Sequence, residues 1–367
     1  MSVAKKSTVS PPIATPSLAD LAHASEFGGS DVVVVDELDP ANLPRVSRTK
    51  LLVEMTHDGL GRAQRLPIIA LRGKKDGPVF GITNAVHGNE INGIPVIHQL
   101  MESLDLKKLC GTVIAVPVVN IPGYLDYVRN YRDGRDLNHT MPGIADGNES
   151  ETFASRFIDR IISKFDYLVD LHTASFGRVN SLYVRANMLD ERTAKMARLQ
   201  RPQIILHNPP SDRTLRGVAA GMGIPAITVE VADPQVFQPK HIRATLSGIR
   251  AIMADLCMIA KRKLTPSPPP IICSSSKWLF TSHGGVLNHI PDIAEIVSTG
   301  DLLGRQCDIF GTVLAEYRAP SAGVIIGKSK NPISPTGARI LHLGKLATNA
   351  DGFICADNAV TPKASCT

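Results

Sequence analysis

The sequence predicts an α/β protein: a doubly wound, largely parallel sheet with a C-terminal all-β domain. Two patterns carry this expectation. Between about residues 78 and 256, short apolar runs alternate with stretches of helical period, as expected for strands buried on both faces and joined by helices. After Pro266, Pro268, Pro269 and Pro270 the helical period is lost, and glycines recur among short β-prone runs. The resulting division is an N-terminal arm at 1–45, a main domain at 46–264, a linker at 265–276 and a β-rich domain at 277–367.

Residues 1–30 are rich in Ser, Ala and Pro and read as a poorly ordered arm. Asp31–Asp36 reads as a short strand. Residues 50–56 and 66–71 read as two more, joined by a turn at Asp58–Gly61. Pro78–Thr83 is an apolar strand, followed by a helix that spaces Ile94, Ile97, Leu100, Met101 and Leu104 along one face. Thr112–Pro117 is the next buried strand. Phe153, Phe157, Ile158, Ile161 and Ile162 mark a helix, with Asn148 as its cap and Glu151 three residues on. Tyr167–Leu171 and Ala226–Val231 are two further strands. Ile242, Leu246, Ile249, Ile252 and Leu256 define a longer helix. The Pro/Ser-rich run to Ser276 then separates the β-rich part.

Composition excludes several classes. The chain has 367 residues, 43% of them hydrophobic and 20% charged, which excludes a disordered chain. No apolar run approaches the roughly 18 residues of a membrane span. The start carries lysines without an apolar segment behind them, so a secretory signal is not expected. A net charge of +6 is spread in short clusters, and aromatics are only 5%. That is not the basic, aromatic-interleaved stripe of a nucleic-acid binder, although a small anionic substrate fits. The six cysteines form no C-x-x-C pair, so free thiols in a reducing compartment are expected. One of the two glycosylation sequons, at Asn138, lies inside a motif argued below to be catalytic. A cytoplasmic location follows as the expectation.

Four motifs point to chemistry. His87-Gly88-Asn89-Glu90 sits between a buried strand and a helix. An imidazole and a carboxylate three residues apart on a turn can face one ion, and both suit zinc. Asp170-Leu171-His172-Thr173 ends another strand, and strand ends on one edge of such a sheet converge in space. Two His and one Glu with a position left open form a catalytic zinc pattern. Glu230 ends an apolar strand and supplies the non-ligand carboxylate a zinc hydrolase needs as general base and acid. Arg129, Arg132 and Arg135 crowd the segment before Asp136-Leu137-Asn138-His139. They could form a solvated loop, or stabilise an oxyanion and bind a substrate anion. Trp278, at the head of the β-rich part, is expected to serve packing.

The set His-Gly-Asn-Glu, Asp-Leu-Asn, Asp-Leu-His-Thr and Val-Glu-Val, in this order, resembles the succinylglutamate desuccinylase/aspartoacylase family, which is related to the zinc carboxypeptidases. The resemblance covers about residues 50–345. It implies a zinc-carboxypeptidase-like fold and one zinc ion on His87, Glu90 and His172, with Glu230 as general base and acid. It also implies an arginine that polarises the scissile carbonyl, Arg129 by spacing with Arg132 as the alternative, and Asn138 on a substrate carboxylate. A β-domain that covers the cleft is implied as well. The family's Asp-Leu-Asn-Arg departs to His139 here, a weaker and pH-dependent anion partner. That leaves Arg185, Arg216 or Arg135 for the carboxylate clamp, or a substrate without that carboxylate.

The expected activity is hydrolysis of the amide bond of a small N-acyl amino acid or related N-acyl amine, a zinc-dependent deacylation. The alternatives are a metallocarboxypeptidase on short peptides and a non-catalytic metal- or ligand-binding protein. The expected partner is a small N-acyl substrate, with no nucleic acid and no membrane, and self-association left open.

Overall fold

The computed structural model describes residues 32–352 apart from 176, 211–212, 263–265 and 289. The expected arm over 1–30, His289 and the last residues of the expected β-domain lie outside the described residues. The strands of the first half are β1 (Val32–Val35), β2 (Ser47–His57), β3 (Ala63–Arg72), β4 (Lys75–Asn84), β5 (Cys110–Val116), β6 (Tyr167–His172), β7 (Arg178–Asn180), β8 (Leu182–Ala186), β9 (Ile204–His207) and β10 (Ala226–Val231). The second half adds β11 (Ile271–Phe280), β12 (Gly285–Asn288), β13 (Ile296–Val297), β14 (Leu302–Cys307), β15 (Val313–Arg318), β16 (Gly323–Ser329), β17 (Ile333–Ser334) and β18 (Arg339–Leu346). The α-helices are α1 (Gly93–Ser103), α2 (Ile121–Leu125), α3 (Glu149–Arg160), α4 (Glu191–Leu199), α5 (Leu215–Gly221) and α6 (Pro239–Asp255).

The centre of the sheet, β5-β4-β6-β10, is parallel, and antiparallel β3 and β8 flank it. The sheet is doubly wound. One apolar cluster packs α1 and α6 on one face through Ile97, Leu100, Ile249 and Ile252. The other packs α3 and α5 on the opposite face through Phe153, Phe157, Leu215 and Ala219. Asn148 caps α3 by accepting from Glu151 N, and Glu151 returns a bond to the Asn148 N–H, so the expected capping box forms.

Three boundaries differ from the sequence reading. Residues 32–45 are not an arm: β1 pairs with β2, and Leu38 is 1% exposed in the core. The second half of the expected linker is strand, because β11 begins at Ile271 and pairs with β9 and β18. The C-terminal strands are also not a separate β body. β11, β18, β16 and β13 continue the main sheet, and only β15-β14-β12-β17 form a second sheet.

That continuation closes a ring. The hydrogen-bonded path runs β8-β9-β11-β18-β16, and β16 pairs with β7. β7 ends one residue before β8 begins, so the path returns to its start. Tyr183, Ile204, Cys273, Val324 and Ile326 belong to one apolar cluster on these strands. Side chains of β11 and β18 therefore reach the carboxyl end of β10.

Candidate active site

The turn after β4 carries the first motif. Ala85 has φ 52°, an unusual value for an alanine, and sends the chain into Val86-His87. Gly88 meets a close approach of two backbones. A Cβ there would sit 2.0 Å from Gly123 C and 2.2 Å from Tyr124 N, so only glycine lets the loop lie against α2.

His87, Glu90 and His172 are all buried and bring their ligand atoms within 4.8 Å of one another. His87 Nδ1 lies 2.9 Å from Glu90 Oε1, and His172 Nδ1 lies 2.9 Å from Glu90 Oε2. The two Nδ1 atoms are 3.1 Å apart. The outer nitrogens are held by carboxylates: His87 Nε2 by Asp136 Oδ1 at 3.0 Å, and His172 Nε2 by Asp170 Oδ2 at 2.8 Å. Asp170 is fixed in turn by the Thr83 hydroxyl at 2.7 Å. A carboxylate on the outer nitrogen sets the ring orientation and raises ligand basicity, the usual support of a metal-binding histidine. Zinc bonds of about 2.0–2.1 Å in tetrahedral geometry put ligand atoms about 3.3 Å apart, close to the spacing here. The donor set fits a zinc ion.

The charges agree. Burial pushes the Glu90 carboxyl up, but His87 and His172 overturn this and hold it well below the usual carboxylate range. Burial opposes protonation of His172, while Asp170 and Glu90 raise its affinity for positive charge. Both results describe a pocket that favours a cation.

Glu230 lies outside this set but beside it. In the parallel β6–β10 pair Glu230 stands opposite His172, and in the antiparallel β8–β10 pair it stands opposite Tyr183. Neighbouring strands are about 4.8 Å apart, so the three form a row. Glu230 Oε1 accepts from Tyr183 Oη at 3.1 Å, and Oε2 accepts from Asn180 Nδ2 at 3.3 Å. Arg185 Nη2 donates to Tyr183 Oη at 2.7 Å, and Arg185 Nε lies 3.4 Å from Glu230 Oε1.

Arg129 reaches the cluster from the loop after α2. Its Nη1 donates to Glu90 Oε1 at 2.9 Å, and Nε and Nη2 donate to Asp136 Oδ2 at 3.0 and 2.9 Å. Asn138 and His139 line the same cavity, and Asn138 Oδ1 accepts from Leu215 N. Arg132 and Arg135 do not line it. Arg132 Nε pairs with Glu149 at 2.7 Å, and Arg135 Nη1 pairs with Glu151 at 2.9 Å. The acidic start of α3 thus pairs with these two arginines, and neither is brought to the cavity wall where substrate binding was expected of them.

The cavity, about 570 Å³, also takes Arg178 from β7, Arg216 from α5, Trp278 from β11 and Arg339 from β18. Trp278, expected to serve packing, is thus part of the wall. Sequence spacing gave no signal for Arg178, Trp278 or Arg339, since they reach the site only through the strand ring. Tyr183 and Arg185 did leave one: in Leu182–Ala186 they alternate with apolar residues, as on one face of a strand.

Among the described residues no helix is long and apolar enough to cross a membrane. Residues 76–256 match the succinylglutamate desuccinylase/aspartoacylase catalytic domain. A curated relative is the N-alpha-acetyl-L-2,4-diaminobutyric acid deacetylase of Halomonas elongata, 23% identical over 281 residues that span 72% of this chain and 81% of that protein. Among solved structures, the product-bound ectoine utilization protein EutE (DoeB) of Ruegeria pomeroyi has a TM-score of 0.74 at 20% identity, covering 85% of this chain and 99% of that one. A succinylglutamate desuccinylase/aspartoacylase of Rhodobacter sphaeroides has a TM-score of 0.75 at 19% identity, covering 85% and 100%. These likenesses share the mixed α/β sheet with its C-terminal antiparallel strands. Over residues 76–256, then, the chain's resemblance to the succinylglutamate desuccinylase/aspartoacylase family, carried by its motifs, is shown.

Proposed function

We propose that this chain is a zinc-dependent amidohydrolase that removes the acyl group from a small N-acyl amino acid or related N-acyl amine. The observation that carries the reading is the position of Glu230: in register with His172, hydrogen-bonded on both oxygens, and outside the His87–Glu90–His172 set. The relative that deacetylates an N-acetyl diamino acid supports the same chemistry.

His87, Glu90 and His172 would hold the zinc, which would supply Lewis-acid polarisation to the scissile carbonyl and the attacking water. Glu230 takes the proton from that water and later delivers it to the departing amine nitrogen. Asn180, Tyr183 and Arg185 hold the carboxylate for both transfers. Asp136 and Asp170 fix the two imidazoles. Arg129, at the Glu90 edge of the cluster, stabilises the developing oxyanion. Asn138 and His139 bind the substrate's amino-acid carboxylate, and buried Arg216, which lines the same cavity, supplies a permanent positive charge for it. Walls from β11 and β18 suit a small substrate better than a peptide.

Mass spectrometry of a mixed pool of N-acyl amino acids and short peptides tests this. The expected result is loss of an acylated species with release of its free amine, absent in Glu230→Ala. Trimming of peptides from their C-termini would replace the reading with a carboxypeptidase. No turnover in protein that carries a metal ion would replace it with a ligand-binding role.

A further inference from the structure

A second cavity lies behind the loop that carries Arg129 and Asp136. It measures about 160 Å³ and shares no lining residue with the cavity over the His–Glu–His cluster. Its wall is mostly apolar: Leu52 and Met55 from β2, Leu66 from β3, Ile121 and Pro122 from α2, and Phe153 from α3. An apolar cavity of about 150 Å³ is large enough to hold a benzene ring.

Two more lining residues, Tyr131 and Arg65, bring donors to this wall. Tyr131 is 2% exposed, and its Oη is buried with no hydrogen-bond partner. Thr56 and Arg132 lie beside that hydroxyl without completing a bond to it. The Thr56 hydroxyl donates instead to Gln64 Oε1 at 2.8 Å, and Arg132 Nε pairs with Glu149 Oε1 at 2.7 Å. Burial pushes the Tyr131 hydroxyl up to about 12, so at neutral pH it keeps its proton and can donate. Arg65 Nε is likewise buried without a partner, while Nη2 of the same guanidinium lies 3.4 Å from Glu54 Oε2. A buried donor without an acceptor is costly, more so on a charged group. One ligand that brings an acceptor to each donor would remove both costs. Water suits this wall less well, since a buried water takes about two to four polar partners.

We propose that this cavity binds a small monocarboxylate with a compact apolar body, its two oxygens accepting from Tyr131 Oη and Arg65 Nε. A carboxylate supplies one oxygen to each donor and carries the charge that a guanidinium prefers. The body, of about six carbons by the size of the cavity, is covered by Leu66, Ile121 and Phe153. Gln64 and Arg65 are only half-buried, so the ligand enters from the β3 side. The site is separate from the proposed deacylation and does not depend on it.

Calorimetric titration of the full-length protein with benzoate, and with benzamide as its neutral counterpart, tests the site. Benzoate should bind tenfold or more tightly than benzamide, which lacks the charge and offers one oxygen in place of two. Tyr131→Phe removes a hydroxyl that has no bond to lose. Its thermal transition should match or exceed that of the parent, while its affinity for benzoate falls about tenfold. Arg65→Gln should abolish the preference for benzoate over benzamide. Neither residue lines the catalytic cavity, so both effects would locate the ligand here. Affinity unchanged in both variants would place benzoate elsewhere and overturn the site. Equal affinity for benzoate and benzamide in the parent, or no saturable binding of either at millimolar concentration, would also overturn it.

Discussion

Glu230 and Tyr183 face each other across the β10–β8 pair, and the Tyr183 hydroxyl donates to Glu230 Oε1 at 3.1 Å while accepting from Arg185 Nη2 at 2.7 Å. The other carboxylate oxygen, Oε2, accepts from Asn180 Nδ2 at 3.3 Å, so both oxygens are held in place. Hydrogen bonds to charged groups contribute about 1.5–3 kcal/mol. Tyr183→Phe should therefore lower kcat by about tenfold or more with little change in metal content. Steady-state kinetics on the substrate found by mass spectrometry checks this. An unchanged kcat would mean that Tyr183 only packs.

The aspartates behind the two imidazoles make a separate prediction. Removing such a partner costs about 10–100-fold in metal affinity. Asp136→Ala, which removes the partner of His87 Nε2, should lose its metal at a chelator concentration many-fold lower than the one that strips the parent. Equal chelator sensitivity would show that Asp136 matters only to Arg129.

Burial of His342 predicts a pH effect on stability. Burial first, then three arginines, hold the folded-state pKa near 3, below the ordinary 6.5. The unfolded chain then binds the extra proton. The contribution is fully present above pH 6.5 and is lost as pH falls toward 3, by up to about 1.4 kcal/mol per pH unit. Urea unfolding at pH 7 and pH 5 should show a smaller drop in His342→Phe than in the parent. An equal drop would contradict it.

The thiols should differ sharply in reactivity. Burial pushes the Cys273 thiol up to about 12, whereas Cys257 is exposed. Thiolate is the reactive form. Iodoacetamide at pH 8 should label Cys257 in the folded protein and reach Cys273 only after unfolding, as read by peptide mass spectrometry.

The legible parts of the site are those fixed by local pattern. The strands ending near His87, His172 and Glu230 are short apolar runs between helical stretches, and a parallel sheet aligns their carboxyl ends whatever the loops do. The capping box at Asn148 is equally local. The placement of Arg132 and Arg135 was not legible, because proximity to Asp136 in sequence says nothing about their pairing with Glu149 and Glu151. Arg178, Trp278 and Arg339 were illegible for the opposite reason. Their convergence depends on pairings between β7 and β16 and between β9 and β11, which join segments distant in sequence. The short strands β7 to β9 are too brief for a clear period, so the alternation carrying Tyr183 and Arg185 in Leu182–Ala186 is only a weak signal.

The central claim is that His87, Glu90 and His172 hold the metal while Glu230, beside them, moves the proton. The most direct test measures metal stoichiometry and turnover together in Glu230→Ala. The account predicts one metal ion per chain, as in the parent, with turnover reduced by orders of magnitude. A variant that keeps both its metal and its activity would contradict it.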